Sequence, residues 1–149
     1  MSVTVDANVL VYASNEAEPV HEPARVLVER LAGGPEILYL FWPTIMGYLR
    51  IVTHPSVLPR PLRPVDAIAN VSALLAAPHV RTPGEEEAGF WELYLATRND
   101  ADRGNDVPDG HLATLMRQHG VGTIYTRDRD FRRFDGIAVK DPFAASAGA

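Results

Sequence analysis

The chain has 149 residues, the length of one ordinary domain, and its 46% hydrophobic and 22% charged residues exclude a disordered or fibrous protein. It has no cysteine, which excludes disulfide frameworks, thiolate metal ligands and a cysteine nucleophile, and which favours a cytoplasmic location. The net charge of −5 argues against a uniformly basic surface that coats nucleic acid, although it allows a local basic track.

In the first half of the chain, short apolar runs alternate with helical patterns. The runs SVTV (Ser2 to Val5) and ILYLF (Ile37 to Phe41) have the length and composition of buried strands. Between them, apolar residues recur at helical spacing as far as Gly33. Helices are also predicted after Pro43 and over about 64–77, where the inward positions are Ile68, Val71 and Leu75.

The second half continues the same alternation. HVR is a candidate for a brief strand, and PGEEEAGFWELYLATR predicts a helix whose first turn is acidic. PDGHLATLMRQHG predicts a helix that Asp109 opens and Gly120 ends, and GTIY and GIAV are the last strand candidates. This order of elements predicts an α/β domain with a mainly parallel sheet covered by helices on both faces.

Three aspartates follow strands or open a helix in this scheme. In open parallel sheets, sites form outside the carboxyl ends of the strands, and Asp6 and Asp128 each follow a predicted strand, while Asp109 begins a helix. Taken singly, each aspartate has an ordinary structural role as a helix cap or turn residue. Taken together, converging carboxylates would repel one another without a cation.

The ligand types indicate which cation this would be. Oxygen ligands without cysteine, and without a His-x-x-x-His helix, favour Mg²⁺ or Mn²⁺ over zinc. The chemistry of such a site is the attack of metal-activated water on a phosphodiester, with one ion or two.

Three sequence blocks carry a family resemblance: VDANVLVYA, VPDGHLATLMRQHGV and TIYTRDRDFRRFDGIAVKDP. In this order they resemble the PIN domain, and more closely the VapC toxins of bacterial VapBC toxin–antitoxin pairs. The resemblance runs from about Val3 to Pro142, so we expect a single PIN domain over 3–142 and a frayed tail over 143–149.

The resemblance implies a three-layer α/β/α fold and an endoribonuclease that depends on Mg²⁺, with Mn²⁺ able to substitute. It also implies a structured RNA substrate of the tRNA or rRNA class and a VapB-like antitoxin that holds the enzyme inactive. A homodimer is expected, and no membrane is involved.

Residue by residue, the resemblance assigns metal-binding and catalytic roles to Asp6, Asp109 and Asp128. Asp130 is a second acid on the last loop and is counted with the catalytic residues. Asn8 matches the polar residue that steadies the first acid, and Thr126 matches the Ser/Thr position before the final acid pair.

One expected acid is missing. The family usually has a glutamate on the helix after the second strand, but PTIMGYLRIVTH contains no carboxylate, and the matching position is Gly47 or, on another alignment, Ile45. Several acids elsewhere could substitute, although they fit a helix N-terminus and a solvated loop more simply: Glu85, Glu86, Glu87, Asp102 and Asp106.

Arginines and aromatic residues are candidates for RNA contacts. Arg127, Arg129 and Arg103 are the proposed phosphate contacts, with Arg50, Arg98, Arg132 and Arg133 as further candidates. Ion pairs with neighbouring aspartates are the alternative role for the arginines around Asp128. His111 is the one histidine expected near the site. Packing in a core or dimer is favoured over base stacking for Phe41, Trp42, Trp91 and Tyr94.

Two other functions fit parts of the sequence. A PIN-like domain that binds RNA or antitoxin with weak or no catalysis is supported by the missing glutamate. A phosphatase with an aspartyl nucleophile is the more remote alternative, because such enzymes need a second aspartate two residues after the first, where this chain has Asn8. They also need a well-placed lysine, and Lys140 is the only lysine present.

Overall fold

The structure of the protein is a computed structural model, and it describes residues 1–144. Its sheet has five strands, which are β1 (Ser2–Val5), β2 (Ile37–Tyr39), β3 (Val80–Arg81), β4 (Thr123–Tyr125) and β5 (Ala138–Lys140). Their order is β3-β2-β1-β4-β5, and all four pairings are parallel. The predicted α/β fold is therefore confirmed, and the sheet is wholly rather than mainly parallel.

Helices make the crossovers that parallel strands require. Within residues 1–144 they are α1 (Ala7–Ser14), α2 (His21–Ala32), α3 (Trp42–Val52), α4 (Pro64–Leu75), α5 (Phe90–Thr97) and α6 (Asp106–Gln118). A 3₁₀ turn over Arg129–Arg133 leads into β5. None of the helices in this part of the chain is long and apolar enough to cross a membrane.

Two hydrophobic cores lie on opposite faces of the sheet, because alternate residues of a strand point to opposite sides. On one face, Val3 and Leu38 pack with residues of α1 to α4. On the other face, Phe41 and Ile124 pack with α6 and with the phenylalanines of the 3₁₀ segment. This arrangement makes the three-layer α/β/α sandwich that the resemblance implied.

Helix α1 was not predicted. The chain leaves β1 through Asp6, which has extended backbone angles, and turns directly into a helix at Ala7. The helix contains the apolar run Val9 to Val11, all of it buried, so it lacks the polar face by which a helical period is recognised.

Three other predicted details were wrong. Helix α5 begins at Phe90 rather than in the acidic run, because Gly89 adopts a left-handed conformation (φ 84°) just before it. Helix α6 begins at Asp106, so Asp109 lies in its first turn and does not open it. On α4, Ile68 is 52% exposed and does not face inward, whereas Val71 and Leu75 pack against the core.

The tail predicted for 143–149 lies partly outside the described residues, which end at Ala144. Phe143 packs edge-on against the ring of Tyr12, with ring centroids 5.7 Å apart. The packed part of the chain therefore extends at least to Phe143.

Candidate active site

The strand order changes direction between β1 and β4. From β1 the chain adds β2 and β3 on one side, and then returns to add β4 and β5 on the other. Asp6 follows β1 and Thr126 follows β4, and the backbone N–H of Asp6 donates to the carbonyl of Tyr125 at 3.0 Å. The crevice at this point is where ligands bind in open α/β sheets.

Thr126 connects the two strand ends through its buried hydroxyl. Its Oγ1 donates a hydrogen bond of 2.9 Å to Oδ2 of Asp6. The same oxygen accepts a hydrogen bond of 2.9 Å from the backbone N–H of Asp128. Asp128 in turn caps the 3₁₀ turn by accepting from the N–H of Asp130 at 2.9 Å. The position before the final acid pair therefore orients both Asp6 and the turn that carries Asp128.

Burial raises the pKa of the Asp6 carboxyl. The hydrogen bond from Thr126 and the nearby backbone N–H groups of Asn8 and Ala7 oppose this rise, while the negative charge of Asp128 adds to it. Asp6 makes no capping hydrogen bond to α1, and the side chain of Asn8 is exposed. Asn8 thus affects Asp6 through its backbone.

Asp109 reaches the same crevice from the first turn of α6. Burial raises its pKa to about 6, and the charges of Asp128 and Asp6 contribute to the rise. Arg133 opposes the rise, with Nη1 3.7 Å from Oδ2 of Asp109. The three predicted acids therefore lie near enough for their charges to interact.

The crevice has a volume of about 420 Å³ and is open to solvent. Asp6 and Asp109 are the only carboxylates among the described residues that line it, and the facing wall comes from α3. Gly47 and Arg50 both belong to that wall. Ile45, in contrast, is buried in the core beneath α3. Of the two positions proposed for the missing glutamate, Gly47 therefore borders the crevice and Ile45 does not.

The donor set suits a hard cation. Among residues 1–144, no group of three or more His, Cys, Asp or Glu side chains is close enough to form a complete metal cluster. Mg²⁺ needs no such cluster, because it keeps several waters and commonly takes one or two protein carboxylates. Two half-buried carboxylates of raised pKa in one crevice supply oxygen ligands and a negative charge that a cation would neutralise.

The candidate substitutes for the missing acid lie elsewhere. Glu85 pairs with His111, whose Nε2 is 2.7 Å from Oε1 of the glutamate. His111 thus faces Glu85 and the ring of Phe90, and not the crevice. The remaining candidates do not line it either, since Asp102 and Asp106 border a neighbouring cleft.

Asp130 also borders that neighbouring cleft, together with Arg129. Its carboxylate is exposed, and its backbone forms the hydrogen bonds to the site: the N–H donates to the Asp128 carboxylate, and the carbonyl accepts from Arg133 at 3.0 Å. Asp130 is thus not among the acids whose charges shift the pKa of Asp6 or Asp109, whereas Asp128 is.

The arginines around the site differ in how they are held. Arg127 lies over the rings of Tyr12 and Phe143, 5.7 Å from each centroid, and 4.0 Å from Glu18. Arg103 is exposed, and its backbone N–H donates to Asp106 at 3.2 Å. Both can meet phosphate only from outside the crevice.

Arg133 has a role that the sequence did not single out. It contacts Asp109, as above, and its Nη2 lies 3.8 Å from Oδ1 of Asp106. It was predicted only as one of four arginines near Asp128. A charge count could not separate it from its neighbours, because its partner is on α6, more than twenty residues away in sequence.

Of the four aromatic residues considered for base stacking, Phe41 is fully buried in the core, as favoured. Trp42 and Trp91 are 42% and 61% exposed, so they are not core residues. The ring of Tyr94 stacks on Trp91, with centroids 5.6 Å apart.

Comparison with known proteins gives a consistent family. The PIN domain family matches residues 3–137. Ribonuclease VapC48 of Mycobacterium tuberculosis is 50% identical over 145 residues, which cover 97% of this chain and 99% of the relative. Ribonuclease VapC43 of the same species is 38% identical over 141 residues, which cover 93% of each protein.

Solved structures share the fold at lower identity. The VapC20 structure of M. tuberculosis has a TM-score of 0.65 at 18% identity and covers 93% of this chain and 99% of its own. A chain of VapBC2 from Rickettsia felis has a TM-score of 0.66 at 15% identity, with 94% and 98% covered. With the fold and the crevice described above, these matches show that the chain belongs to the PIN domain family and, within it, to the VapC ribonucleases.

Proposed function

We propose that the protein is an endoribonuclease toxin that depends on Mg²⁺, with Mn²⁺ able to substitute, and that a VapB-type antitoxin neutralises it. The observation that carries the proposal is the crevice at the point where the strand order changes direction. Asp6 and Asp109 both line it, and both have raised pKa values. A chain that lacks cysteine and acts on RNA suits a cytoplasmic location.

Asp6 and Asp109 would hold the cation, and Asp128 would add negative charge beside it. When bound, the ion supplies a water of lowered pKa and neutralises charge that builds up on the phosphate. In the reaction, the oxygen of water attacks phosphorus and gives up a proton to solvent, while the bond from phosphorus to the ribose oxygen breaks and that oxygen takes up a proton from solvent.

The chain's own residues prepare the site for this chemistry. Thr126 orients the Asp6 carboxylate and holds the Asp128 backbone in place. Arg133 offsets part of the negative charge on Asp109 and Asp106. Asp130 stabilises the turn through its backbone, and its carboxylate is the least direct of the four proposed catalytic acids.

Relatives support the proposed substrate and partner. The most similar relatives reported above are named ribonucleases, and the VapC20 structure is described as a sarcin-ricin loop cleaving toxin. The VapBC2 structure is described as bound to a DNA fragment from its promoter, and its name pairs VapC with VapB. We therefore propose RNA of the tRNA or rRNA class as substrate and a VapB-like protein as partner. Homodimerisation belongs to the same proposal, and light scattering on the purified chain tests it.

The test is an RNA cleavage assay with protein purified free of antitoxin. Bulk tRNA and rRNA are incubated with wild type, Asp6→Asn and Asp109→Asn, in Mg²⁺, in Mn²⁺ and in EDTA. Discrete cleavage by wild type that requires the ion and is lost in both variants is expected. Asp135→Asn is the matched control, because Asp135 is exposed and does not line the crevice.

The second candidate function is a PIN domain that binds RNA or antitoxin without cutting. Gly47 in place of a glutamate is the observation that favours it. If wild type and both variants bind RNA equally and none of them cuts it, this second function is established instead. In cells, growth arrest on expression that Asp6→Asn relieves supports cleavage, whereas equal arrest by both forms contradicts it.

A further inference from the structure

Gly47 occupies the middle of α3, where glycine is less favourable than any residue except proline. Its backbone is not among those with positive φ, so the conformation does not require glycine. A β-carbon built at this position would meet only the β-carbon of Ala7, at 3.5 Å, which is an ordinary contact. Neither the backbone nor the packing therefore explains this glycine.

Gly110, which is buried in α6, is in the same position with respect to packing. A β-carbon there would lie 3.4 Å from the ring of Tyr94 and 4.0 Å from Cβ of Arg98, which are also ordinary contacts. What sets Gly47 apart is its place, because it borders the crevice that contains Asp6 and Asp109.

Arg50 lies on the same wall of the crevice, one turn after Gly47. It is exposed, and within the described residues no hydrogen bond or ion pair of its side chain is present. Arg133 is among the groups that lower the pKa of Asp109, but Arg50 is not, and it does not act on Asp6 either. Its guanidinium is therefore at the rim, available to an anion that enters the crevice.

We infer that Gly47 and Arg50 form a nucleotide subsite, in which the space over Gly47 receives the sugar or base next to the scissile bond and Arg50 binds the adjoining phosphate. This inference rests on the proposed function. A longer side chain at position 47 would fill part of this space, whereas glycine leaves it free. Guanidinium groups suit phosphate because their N–H groups form paired hydrogen bonds with its oxygens.

The test measures RNA binding separately from cleavage. In an Asp6→Asn background, retention of labelled bulk tRNA is measured over a series of KCl concentrations for Arg50→Ala, Gly47→Gln and the parent. Arg50→Ala is expected to weaken binding roughly tenfold and to reduce the salt slope by about 0.7, the value for one phosphate contact on a single strand. Gly47→Gln is expected to weaken binding by blocking the space, with the salt slope unchanged.

Two controls separate the subsite from general effects. Arg30→Ala removes an exposed arginine of α2 that does not line the crevice, so the affinity and the slope should stay at the parent's values. Gly47→Ala is expected to raise the melting temperature by about 2 °C, because alanine suits a helix better than glycine. A fall in melting temperature would show that Gly47 has a structural role, and would overturn its assignment to substrate binding.

The outcomes distinguish this inference from the proposed function. If Arg50→Ala and Gly47→Gln both bind tRNA as tightly as the Asp6→Asn parent does, the subsite is overturned, even if wild type cleaves RNA. A parent that does not retain tRNA overturns it as well. Reduced binding in both variants supports the subsite, even if wild type proves unable to cut. In a cleaving enzyme, Arg50→Ala should raise KM about tenfold with kcat unchanged.

Discussion

The hydroxyl of Thr126 donates a hydrogen bond of 2.9 Å to the carboxylate of Asp6, across 120 residues of sequence. Because the same oxygen accepts from the backbone N–H of Asp128, it fixes the first acid and the last acid-bearing turn together. Thr126 is 1% exposed, so water does not compete for these bonds. When a residue that hydrogen-bonds to a metal ligand is mutated, metal affinity commonly falls by about 10- to 100-fold.

Thr126→Val is expected to weaken Mn²⁺ binding and to slow RNA cleavage by about 10- to 100-fold each. Valine has a similar shape but leaves the Asp6 carboxylate without its donor and the Asp128 N–H without its acceptor. Isothermal titration with Mn²⁺ and the cleavage assay measure the two effects, and circular dichroism checks the fold. Thr126→Ser keeps the hydroxyl and should stay near wild type. Wild-type Mn²⁺ affinity in the valine variant would show that the hydroxyl does not orient the site.

Asp109→Asn is expected to stabilise the metal-free protein at pH 7.5. The folded pKa of Asp109 is about 6, above its ordinary value of 3.8, so the folded state binds more protons between these values. The contribution of Asp109 to the free energy of unfolding is therefore fully present below about pH 4 and is lost as the pH rises through 6. Asparagine has no charge to bury, so the free energy of unfolding of the variant should exceed that of wild type by about 1–2 kcal/mol at pH 7.5, because solvent partly screens the half-buried carboxylate of wild type.

Urea unfolding in EDTA at pH 7.5 and at pH 4 measures this gain, which should be present at the higher pH and absent at the lower. Adding Mg²⁺ should narrow the difference at pH 7.5, because a ligand that binds only the folded wild type stabilises it. A stability difference that is the same at both pH values would contradict the assigned pKa.

Arg133→Gln is expected to move the titration of Asp109 to higher pH in the metal-free protein. The guanidinium lies 3.7 Å from the carboxylate and lowers its pKa, so removing the charge leaves burial and the other aspartates unopposed. Carbon-13 NMR of the side-chain carboxyl groups measures the shift. Arg132→Gln removes an exposed arginine from the same turn and should leave Asp109 unchanged. Equal shifts in the two variants would mean that Arg133 has no specific effect.

Sequence reasoning could predict the positions of the acids that follow strands. Asp6 and Asp128 follow strands whose apolar runs are easily recognised, and parallel strands bring their carboxyl ends to one edge of the sheet. Asp109 was predicted as the acid that opens a helix, and the structure adds that this helix begins about one turn earlier, at Asp106. Helix α1 was missed because its consecutive buried apolar residues give no polar face at helical spacing.

Features that depend on spatial contact could not be predicted in the same way. Sequence alone gave Gly47 or, on another alignment, Ile45 as the position of the missing acid. Their burial separates them, since Ile45 is in the core and Gly47 borders the crevice. The pairing of Arg133 with Asp109 depends on how the 3₁₀ turn packs beside α6. Neither has a local periodicity or motif that would indicate it.

Gly47→Glu is expected to tighten Mn²⁺ binding about tenfold, because it adds a third carboxylate to a crevice that two carboxylates line. The substitution should fold, since a β-carbon at this position meets only Ala7 at an ordinary distance and glutamate suits a helix better than glycine. Gly47→Gln is the matched control of the same size without the charge. Isothermal titration that gives the two variants equal Mn²⁺ affinity would show that a side chain at this position does not reach the ion. In that case Gly47 would not be the site of the missing acid, and the cation would be held by Asp6, Asp109 and their waters alone.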